Sequence, residues 1–274
     1  MSYLDNLFGV KGKVAVVTGG TGVLGSEMCR ALAQAGAKVV ILGRRKDAAD
    51  ALADAIKKSG GEALGISADV LNEQQLVAAR EKILQQFATI DILVNGAGGN
   101  VPGATIPPDK NFLDLNMDDF RKVVDLNLTG TVLPSKVFGA AMISTKQGVI
   151  INISSMSAIR PLTRIVGYSA AKASINNFTQ WLAVEMARKF GEGIRVNAIA
   201  PGFFLTEQNR TLLTQADGSL TERGKSIIGS TPFGRFGEPG ELSGALLWLC
   251  SDASKFVSGI VVPVDGAFSA FAGV

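Results

Sequence analysis

A chain of 274 residues, of which 47% are hydrophobic and 19% charged, can bury a sizeable core and does not have the composition of a disordered protein. The formal net charge is only +3, and no run of lysine and arginine exceeds three residues, which argues against a nucleic-acid-binding patch. Histidine is absent, so histidine-based triads, general bases and metal ligands are excluded.

The two cysteines, Cys29 and Cys250, are far apart in the sequence and each sits in an apolar, helix-like pattern. Such a pair forms neither a zinc quartet nor a disulfide framework, so we expect buried packing residues and no metal site. The first residues do not resemble a signal peptide, and no apolar run reaches 18 residues. We therefore expect a soluble, cytoplasmic protein.

Short β-branched runs alternate along the chain with longer segments of helical periodicity. We predict strands at residues 14–18, 38–42, 63–67, 91–95, 149–154, 194–198 and 260–264, of which 63–67 is the weakest. We predict helices at residues 22–34, 48–58, 73–87, 117–124, 132–144, 167–190 and 240–249. Continuous apolar strands suit a sheet covered on both faces. The alternation predicts one α/β domain over residues 1–274, with a doubly wound, parallel, seven-stranded sheet and helices on both faces.

Two long stretches, residues 96–111 and 201–219, have no regular pattern. Compact domains rarely keep loops of this length unless they bind a ligand or cover one. Both follow predicted strands, at the edge where open α/β sheets bind their ligands. We expect them to be substrate loops.

The first predicted strand runs into the sequence TGGTGVLG and then into a helix. Gly20, Gly22 and Gly25 give the spacing G-x-G-x-x-G, which lets a backbone approach a pyrophosphate at a helix N-terminus. The alternative is a tight turn without a ligand, but the strand-turn-helix context favours dinucleotide binding. The predicted contacts are Gly19, Gly20, Thr21, Gly22, Val23, Leu24 and Gly25.

The end of the second predicted strand bears on which nucleotide is bound. NAD enzymes usually place an acidic residue there for the ribose 2′-hydroxyl, but this chain has Gly43, followed by Arg44, Arg45 and Lys46. An arginine can pair with a 2′-phosphate, so NADP(H) is favoured over NAD(H), with Arg44 as its ligand. The alternative is that these are solvated charges at the start of a helix.

A tyrosine and a lysine, Tyr168 and Lys172, are four residues apart on one face of a predicted helix. A free tyrosine has a pKa near 10, and a nearby cation favours the phenolate and so lowers that pKa. The preceding strand ends at Ser155, whose hydroxyl could hydrogen-bond a substrate carbonyl oxygen. Taken singly, the tyrosine–lysine spacing can arise by chance and a strand-end serine is more often a turn residue.

In this order, the glycine loop, NGAG at residues 95–98, Ser155, YSAAK and the Pro201-Gly202 pair resemble the short-chain dehydrogenase/reductase family over the whole chain. The resemblance implies a Rossmann-type fold, carbonyl binding by Ser155, acid/base catalysis by Tyr168, and a Lys172 that lowers the tyrosine pKa and binds nicotinamide ribose. It also implies that Asn127 supports a proton-relay water. The further cofactor contacts that it implies are Asp69, Val70, Asn95, Gly96, Ala97, Tyr168, Lys172, Pro201, Gly202 and Thr206.

Two positions depart from the family's usual pattern. Val23 replaces the middle glycine of the loop, which puts the loop shape in doubt, although its backbone N–H remains. Gly96 replaces an asparagine in the usual NNAG, and we expect that change to be tolerated.

Several segments also resemble the D-mannonate oxidoreductase branch of the family, among them NISSMSAIRPLT, PGFFLTEQNRTLL and TPFGRFGEP. This resemblance implies interconversion of D-fructuronate and D-mannonate. An arginine fork binds a carboxylate with two hydrogen bonds, so Arg160, Arg164 or Arg210 could hold the sugar acid, unless they are solvated surface residues. Hydroxyl contacts could come from Asn100, Gln208 and Asn209.

Other functions stay open at this point. The substrate could be another polyol, such as gluconate, or a 3-oxoacyl thioester, and a non-catalytic nucleotide-binding redox sensor is a further alternative. The family resemblance implies a homotetramer with long helices and the last strand at its interfaces. The apolar segment 260–274, with Phe268 and Phe271, could pack against a partner subunit or against its own core.

Overall fold

The computed structural model describes residues 2–206 and 209–273. In these residues seven strands form one sheet in the order β3-β2-β1-β4-β5-β6-β7. The strands are β1 (Val14–Thr18), β2 (Lys38–Gly43), β3 (Glu62–Ser67), β4 (Ile92–Asn95), β5 (Gly148–Ile153), β6 (Ile194–Pro201) and β7 (Val261–Val264). All neighbouring strands pair in parallel, which confirms the predicted fold class.

Helices flank the sheet on both faces. In the described residues they are α1 (Tyr3–Phe8), α2 (Val23–Gln34), α3 (Lys46–Lys58), α4 (Glu73–Phe87), α5 (Met117–Val124), α6 (Gly130–Thr145), α7 (Val166–Phe190), α8 (Arg210–Leu213), α9 (Glu222–Gly229) and α10 (Ser243–Cys250). One apolar core joins the sheet to α2, α3 and α10, and a second joins it to α4, α6 and α7. Rossmann-type folds have this three-layer arrangement.

The strand β1 shows why the apolar runs are continuous. Its residues are all buried, and the pleat sends alternate side chains to opposite faces. Ala15 and Val17 belong to the core beneath α2, whereas Val14 and Val16 belong to the core beneath α4. Because both faces are covered, every position of the strand favours an apolar residue.

The sequence analysis did not predict α1 or α9, and its predicted elements differ from the structure in three further places. The predicted break between α5 and α6 is a π-helical turn, Asp125–Thr129, so the chain stays helical through it. The predicted helix 240–249 begins as a 3₁₀ turn, Pro239–Leu242, before α10. The stretch 201–219 is only partly irregular, because it contains α8 and a bridge between Thr214 and Leu220.

The sheet order reverses between β1 and β4, which are neighbours in space but far apart in sequence. In an open parallel sheet, such a switch point leaves a crevice at the carboxyl ends of the strands. Thr18, Asn95, Ile153 and Pro201 end the four strands on that side of the sheet. The predicted glycine loop, the 96–111 loop, Ser155 and the 201–219 stretch therefore meet at one edge.

Candidate active site

A cleft of about 700 Å³ lies at this edge of the sheet. The predicted cofactor residues that line it are Gly19, Thr21, Gly22, Val23, Leu24, Gly25, Arg44, Asp69, Val70, Gly96, Ala97, Tyr168, Lys172, Pro201, Gly202 and Thr206. Ser155 lines the same cleft. The structure thus brings the glycine loop and the Ser155, Tyr168 and Lys172 side chains together around one space, large enough for a cofactor-sized molecule.

The glycine loop places a helix N-terminus against the cleft. Gly22 is the N-cap of α2 and has no side chain that could accept a hydrogen bond. The first N–H groups of the helix are therefore not capped by a side chain. Val23 opens α2 in helical conformation, while the left-handed backbone that favours glycine falls on Gly19, at φ 65°. The missing middle glycine therefore leaves the loop with an ordinary strand-turn-helix shape.

Gly20 was predicted as a cofactor contact, but it is buried beneath the loop and does not line the cleft. Its N–H donates to the carbonyl of Leu42 at 3.2 Å. A Cβ at this position would lie 3.0 Å from a side-chain carbon of Ile41 and 3.2 Å from the sulfur of Cys29. The glycine is required by the packing of the loop between β2 and α2.

The loop after β4 crosses the end of β1 at very close range. A Cβ at Gly96 would lie 2.8 Å from the carbonyl oxygen of Thr18, and a Cβ at Gly19 would lie 2.7 Å from the carbonyl oxygen of Gly96. The Thr18 hydroxyl accepts hydrogen bonds from the N–H groups of Gly96 and Ala97, both at 3.2 Å. A side chain at position 96 would press on the Thr18 carbonyl in this structure, so the glycine suits this close crossing.

Asn95 was predicted to contact the cofactor, and the structure corrects this. It is 1% exposed and absent from the cleft lining. Its amide donates to the Ser135 hydroxyl and to the side-chain oxygen of Asn152, each at 2.8 Å, and Asn152 in turn donates to Thr179 at 2.9 Å. The last side chain of β4 points into the core, where it ties β4 and β5 to α6 and α7.

Asn127 lies in the π-helical turn, fully buried and beside the cleft without lining it. Its amide donates to the carbonyls of Gly99 at 2.7 Å and Val123 at 2.8 Å, and its oxygen accepts from the N–H of Gly99 at 3.1 Å. Both amide N–H groups are engaged, so the side chain positions the loop after β4. The predicted support of a proton-relay water by Asn127 stays a prediction.

Lys172 is 4% exposed, and its ammonium donates to the carbonyl of Ile153 at 2.7 Å. Burial lowers the lysine pKa to about 8, because the charged form loses hydration. The ammonium lies 5.6 Å from the centre of the Tyr168 ring. The lysine thus provides a cation next to the tyrosine, on the helical face that the spacing predicted.

Tyr168 differs from the expectation in one respect. Burial raises the pKa of its phenol, and a hydrogen bond with the Ser155 hydroxyl partly offsets this effect. We expected Lys172 to lower the tyrosine pKa, but in this geometry desolvation is the larger influence. The neutral phenol is therefore the stable form at neutral pH, which suits a proton donor.

Ser155 is held by the turn that follows β5. It is the N-cap of a 3₁₀ turn, Met156–Ala158, and its hydroxyl accepts from the N–H of Ser157 at 3.2 Å and from the Ser157 hydroxyl at 3.1 Å. These bonds fix the serine oxygen while leaving its own proton for another acceptor. The capping role and the predicted carbonyl contact are therefore compatible.

Four of the predicted substrate residues do not line the cleft. Arg160 is exposed, and its Nε donates to the carbonyl of Ser269 at 3.1 Å, whereas Asn100 donates to the Thr105 hydroxyl at 2.8 Å. Arg164 and Arg210 are exposed and also stand outside the lining. Each of these side chains sits on the outer side of its loop. Gln208 lies outside the described residues.

Asn209 does line the cleft, but its side chain serves its own loop. It donates to the carbonyl of Phe204 and accepts from the N–H of Thr206, both at 2.8 Å. The sequence analysis missed the apolar part of the lining, which is Met28, Leu126, Phe203 and Phe204. In a sequence, apolar residues at the ends of strands and helices cannot be told from core residues. Only Phe203, directly after Pro201-Gly202, has a position that could have indicated a place in the cleft lining.

The family follows from comparison with known proteins. A profile for the short chain dehydrogenase family matches residues 13–217. An uncharacterized oxidoreductase of Bacillus subtilis, UxuB, is 49% identical, with 96% of this chain and 97% of that protein aligned. The chain belongs to the short-chain dehydrogenase/reductase family and is an NAD(P)-dependent oxidoreductase.

Two solved structures are similar over nearly their whole length. One, from Haemophilus influenza and provisionally named a D-mannonate oxidoreductase, contains NAD; it is 44% identical with a TM-score of 0.91, covering 97% of this chain and 98% of that one. The other is a gluconate 5-dehydrogenase from Burkholderia cenocepacia with NADP and tartrate, 33% identical with a TM-score of 0.86, covering 97% and 99%. Their nucleotides differ, so similarity alone leaves the cofactor preference open.

None of the helices in residues 2–206 and 209–273 is long and apolar enough to cross a membrane. Across the same residues, no three histidine, cysteine or acidic side chains are grouped as metal ligands.

Proposed function

We propose that this chain interconverts a keto sugar acid and its hydroxy acid, D-fructuronate and D-mannonate, with NADP(H) preferred over NAD(H). The observation that carries the reaction is the single cleft lined both by the glycine loop and by Ser155, Tyr168 and Lys172. The similarity to the Haemophilus protein supports the substrate. The Arg44 side chain at the cleft, with Gly43 in place of an acidic residue, supports the nucleotide.

The residues of the cleft fit a dinucleotide. The α2 N-terminus can hold a pyrophosphate on its unpaired N–H groups, and the glycines keep side chains out of that space. In this proposal Asp69 and Val70 contact the adenine and Lys172 binds the nicotinamide ribose, and all three residues line the cleft. When bound, the nicotinamide supplies or accepts the hydride.

The catalytic roles follow from the three polar side chains. In the reducing direction, the neutral Tyr168 phenol donates its proton to the substrate oxygen as that oxygen becomes an alkoxide. Ser155 donates a hydrogen bond to the same oxygen. Lys172, held by the carbonyl of Ile153, stabilises the phenolate that remains, because its positive charge lies close to the ring.

A sugar-acid carboxylate is typically held by an arginine fork. Arg160 and Arg210 remain the candidates, although both lie outside the cleft lining. Either would have to turn toward the substrate when it binds. If Arg160→Ala and Arg210→Ala both leave the KM for a hexuronate unchanged, neither arginine holds the carboxylate.

A second candidate substrate is a gluconate-type sugar acid. The Burkholderia structure, which covers 97% of this chain, favours it. Both candidates are polyhydroxy acids that differ in stereochemistry, and the catalytic side chains do not distinguish them.

The deciding experiment is steady-state oxidation of NADPH and NADH, separately, with D-fructuronate and with 5-ketogluconate. We expect faster turnover of D-fructuronate with NADPH, and loss of that turnover in Tyr168→Phe by roughly 100-fold or more. Preference for 5-ketogluconate would move the assignment to the second candidate. No turnover of either sugar acid would remove both.

We also propose that the chain assembles as a homotetramer through the outer face of α7. Trp181 and Val184 are 58% and 57% exposed on this helix. Residues 174, 177, 181 and 184 recur every three or four positions, which places them along one face. Large apolar side chains grouped on a surface are typical of subunit interfaces.

A further inference from the structure

The end of β2 is closed by a side chain from the glycine loop. A Cβ at Gly43 would lie 2.8 Å from the hydroxyl oxygen of Thr21 and 3.1 Å from its methyl carbon. Both branches of the threonine therefore face the place where a side chain at position 43 would begin. Gly43 and Thr21 both line the cleft.

Rotation of the threonine cannot open this space. Its Cβ carries two heavy branches and one hydrogen, and both heavy branches now point toward Gly43. Turning to either of the other staggered rotamers exchanges one branch for the hydrogen, and the other branch stays. The threonine Cβ itself would be 3.6 Å from the new atom, which is an ordinary contact. The obstruction thus comes from the branches alone.

We infer that Thr21 is a nucleotide-specificity residue, because its branched side chain keeps position 43 free of a carboxylate that would bind the ribose hydroxyls. This inference rests on the proposed binding of NAD(P) in the cleft. An acidic residue at the end of the second strand is how such folds hold the 2′-hydroxyl of NAD. With position 43 restricted to glycine, the nearest charged side chains at this end of the cleft are Arg44 and Arg45, which suit a 2′-phosphate.

The coupling between the two positions is what the experiment measures. Gly43→Asp alone should fail to create a good NADH site, because the new side chain collides with Thr21. Thr21→Ala removes both branches, so the double variant should accept the carboxylate in the NADH-binding position. Thr21→Val keeps both branches and removes only the hydroxyl, and it is the matched control for shape.

Dissociation constants for NADH and NADPH are measured by nucleotide fluorescence in the wild type, G43D, T21A/G43D and T21V/G43D. We expect G43D and T21V/G43D to bind both nucleotides roughly 10-fold more weakly than the wild type, as an overpacked site does. T21A/G43D should bind NADH at least roughly 10-fold more tightly than G43D does, and should still bind NADPH weakly because of the carboxylate.

A second measurement reads the collision without any nucleotide. G43A should lower the thermal unfolding temperature in the wild-type and T21V backgrounds, and should lower it less in the T21A background. Equal NADH affinity in G43D and T21A/G43D, or equal behaviour of the T21A and T21V backgrounds, would overturn the inference. If the wild type binds neither nucleotide, both the proposed function and this inference are overturned. If the wild type binds but the effects of the Thr21 and Gly43 substitutions on affinity are additive, only this inference is overturned.

Discussion

Lys172 shows what a catalytic residue costs the fold. The Lys172 side chain is 4% exposed and its ammonium donates to the Ile153 carbonyl, so the charged form loses most of its hydration and the lysine pKa falls to about 8 from 10.5. The unfolded chain binds this proton more readily than the folded chain does. The folded protein is therefore destabilised in full below pH 8, and the penalty disappears as the pH rises toward 10.5.

Lys172→Met should abolish turnover and yet stabilise the protein at pH 7. The lowered pKa corresponds to roughly 3 kcal/mol, from which the loss of the hydrogen bond to Ile153 removes about 1 kcal/mol, leaving a gain of about 2 kcal/mol. Urea unfolding at pH 7 and at pH 10 measures the gain, which should shrink at pH 10. Lys189→Met, on the exposed end of the same helix, is the control and should show no such pH dependence. A K172M protein that is less stable than the wild type at both pH values would contradict the account.

Gly98 lines the cleft and lies next to the side chains of Asn127 and Lys172. A Cβ there would lie 2.6 Å from the side-chain oxygen of Asn127 and 3.3 Å from the Lys172 ammonium. Gly98→Ala should push the backbone away from Asn127 and lower kcat by about 100-fold, because misplacement by about 1 Å is enough for such a loss. Gly229→Ala, where the added methyl group meets nothing, is the control. A G98A enzyme with wild-type kcat would show that Asn127 does not position this loop for catalysis.

At the scale of elements, the sequence predicted the strands better than it predicted the site residues at the strand ends. Continuous apolar runs located the strands to within a few residues, because strands covered on both faces are mostly apolar. The site residues at strand ends were harder. Asn95 is the last residue of β4, where a ligand contact is expected, but its side chain points into the core. Adjacent residues of a strand point to opposite faces, and the sequence of a short strand does not show which face each residue takes.

The same limit applies to the substrate side. Arginines in a loop were reasonable candidates for a carboxylate, but loop direction depends on tertiary contacts such as that of Arg160 with Ser269, which no local pattern encodes. The predicted motif residues, in contrast, all line the cleft except Gly20, Asn95 and Asn127, which are buried next to it. The motif therefore predicted the place well and the individual contacts less well.

The segment after β7 is an active-site element. Phe268 packs against Phe203 with the ring centres 5.2 Å apart, and Phe203 lines the cleft. Asp265 closes the turn by accepting from the N–H groups of Ala267 at 3.0 Å and Ser269 at 2.8 Å. Arg160 holds the same turn through Ser269. The turn thus joins the loop of Ser155 to the loop of Pro201-Gly202.

Phe268→Ala should loosen Phe203 and raise the KM for the sugar acid by about 10-fold, with little change in nucleotide affinity. The reason is that Phe203 forms the apolar wall of the cleft beyond the glycine loop. Steady-state kinetics with nucleotide held saturating separates the two effects. Phe256→Ala removes a ring that already stands in solvent and is the matched control. Equal changes in substrate KM and nucleotide affinity would mean that the tail supports the whole fold rather than this wall.

At the scale of the whole molecule, α7 exposes large apolar side chains on the face that points away from the sheet. Alongside α7, a cavity is lined by Leu128, Ala173, Ser174, Asn177, Phe178 and Trp181. The helix also carries Tyr168 and Lys172 in its first two turns, directly before this segment. Assembly through this face would therefore brace the element that holds the catalytic pair.

Trp181→Glu should convert the proposed tetramer into smaller species, because a carboxylate would be buried without a partner at the interface. Light scattering coupled to size exclusion gives the mass, and Gln85→Glu on the exposed side of α4 is the control for added charge. An unchanged mass for W181E would place the interface elsewhere. A wild type that is itself a monomer would remove the proposed assembly.

The turn that joins the two active-site loops depends on a contact between residues that are far apart in the chain. Its bond from Arg160 to Ser269 spans 109 positions of the chain, and the bond from Val14 to Asp91 at the sheet's centre spans 77. Contacts between such distant residues form slowly, whereas helices form early from local contacts. On dilution from denaturant, helical signal should return before turnover does. The cleft is then the last part of the molecule to be completed, closed by residues near the end of the sequence.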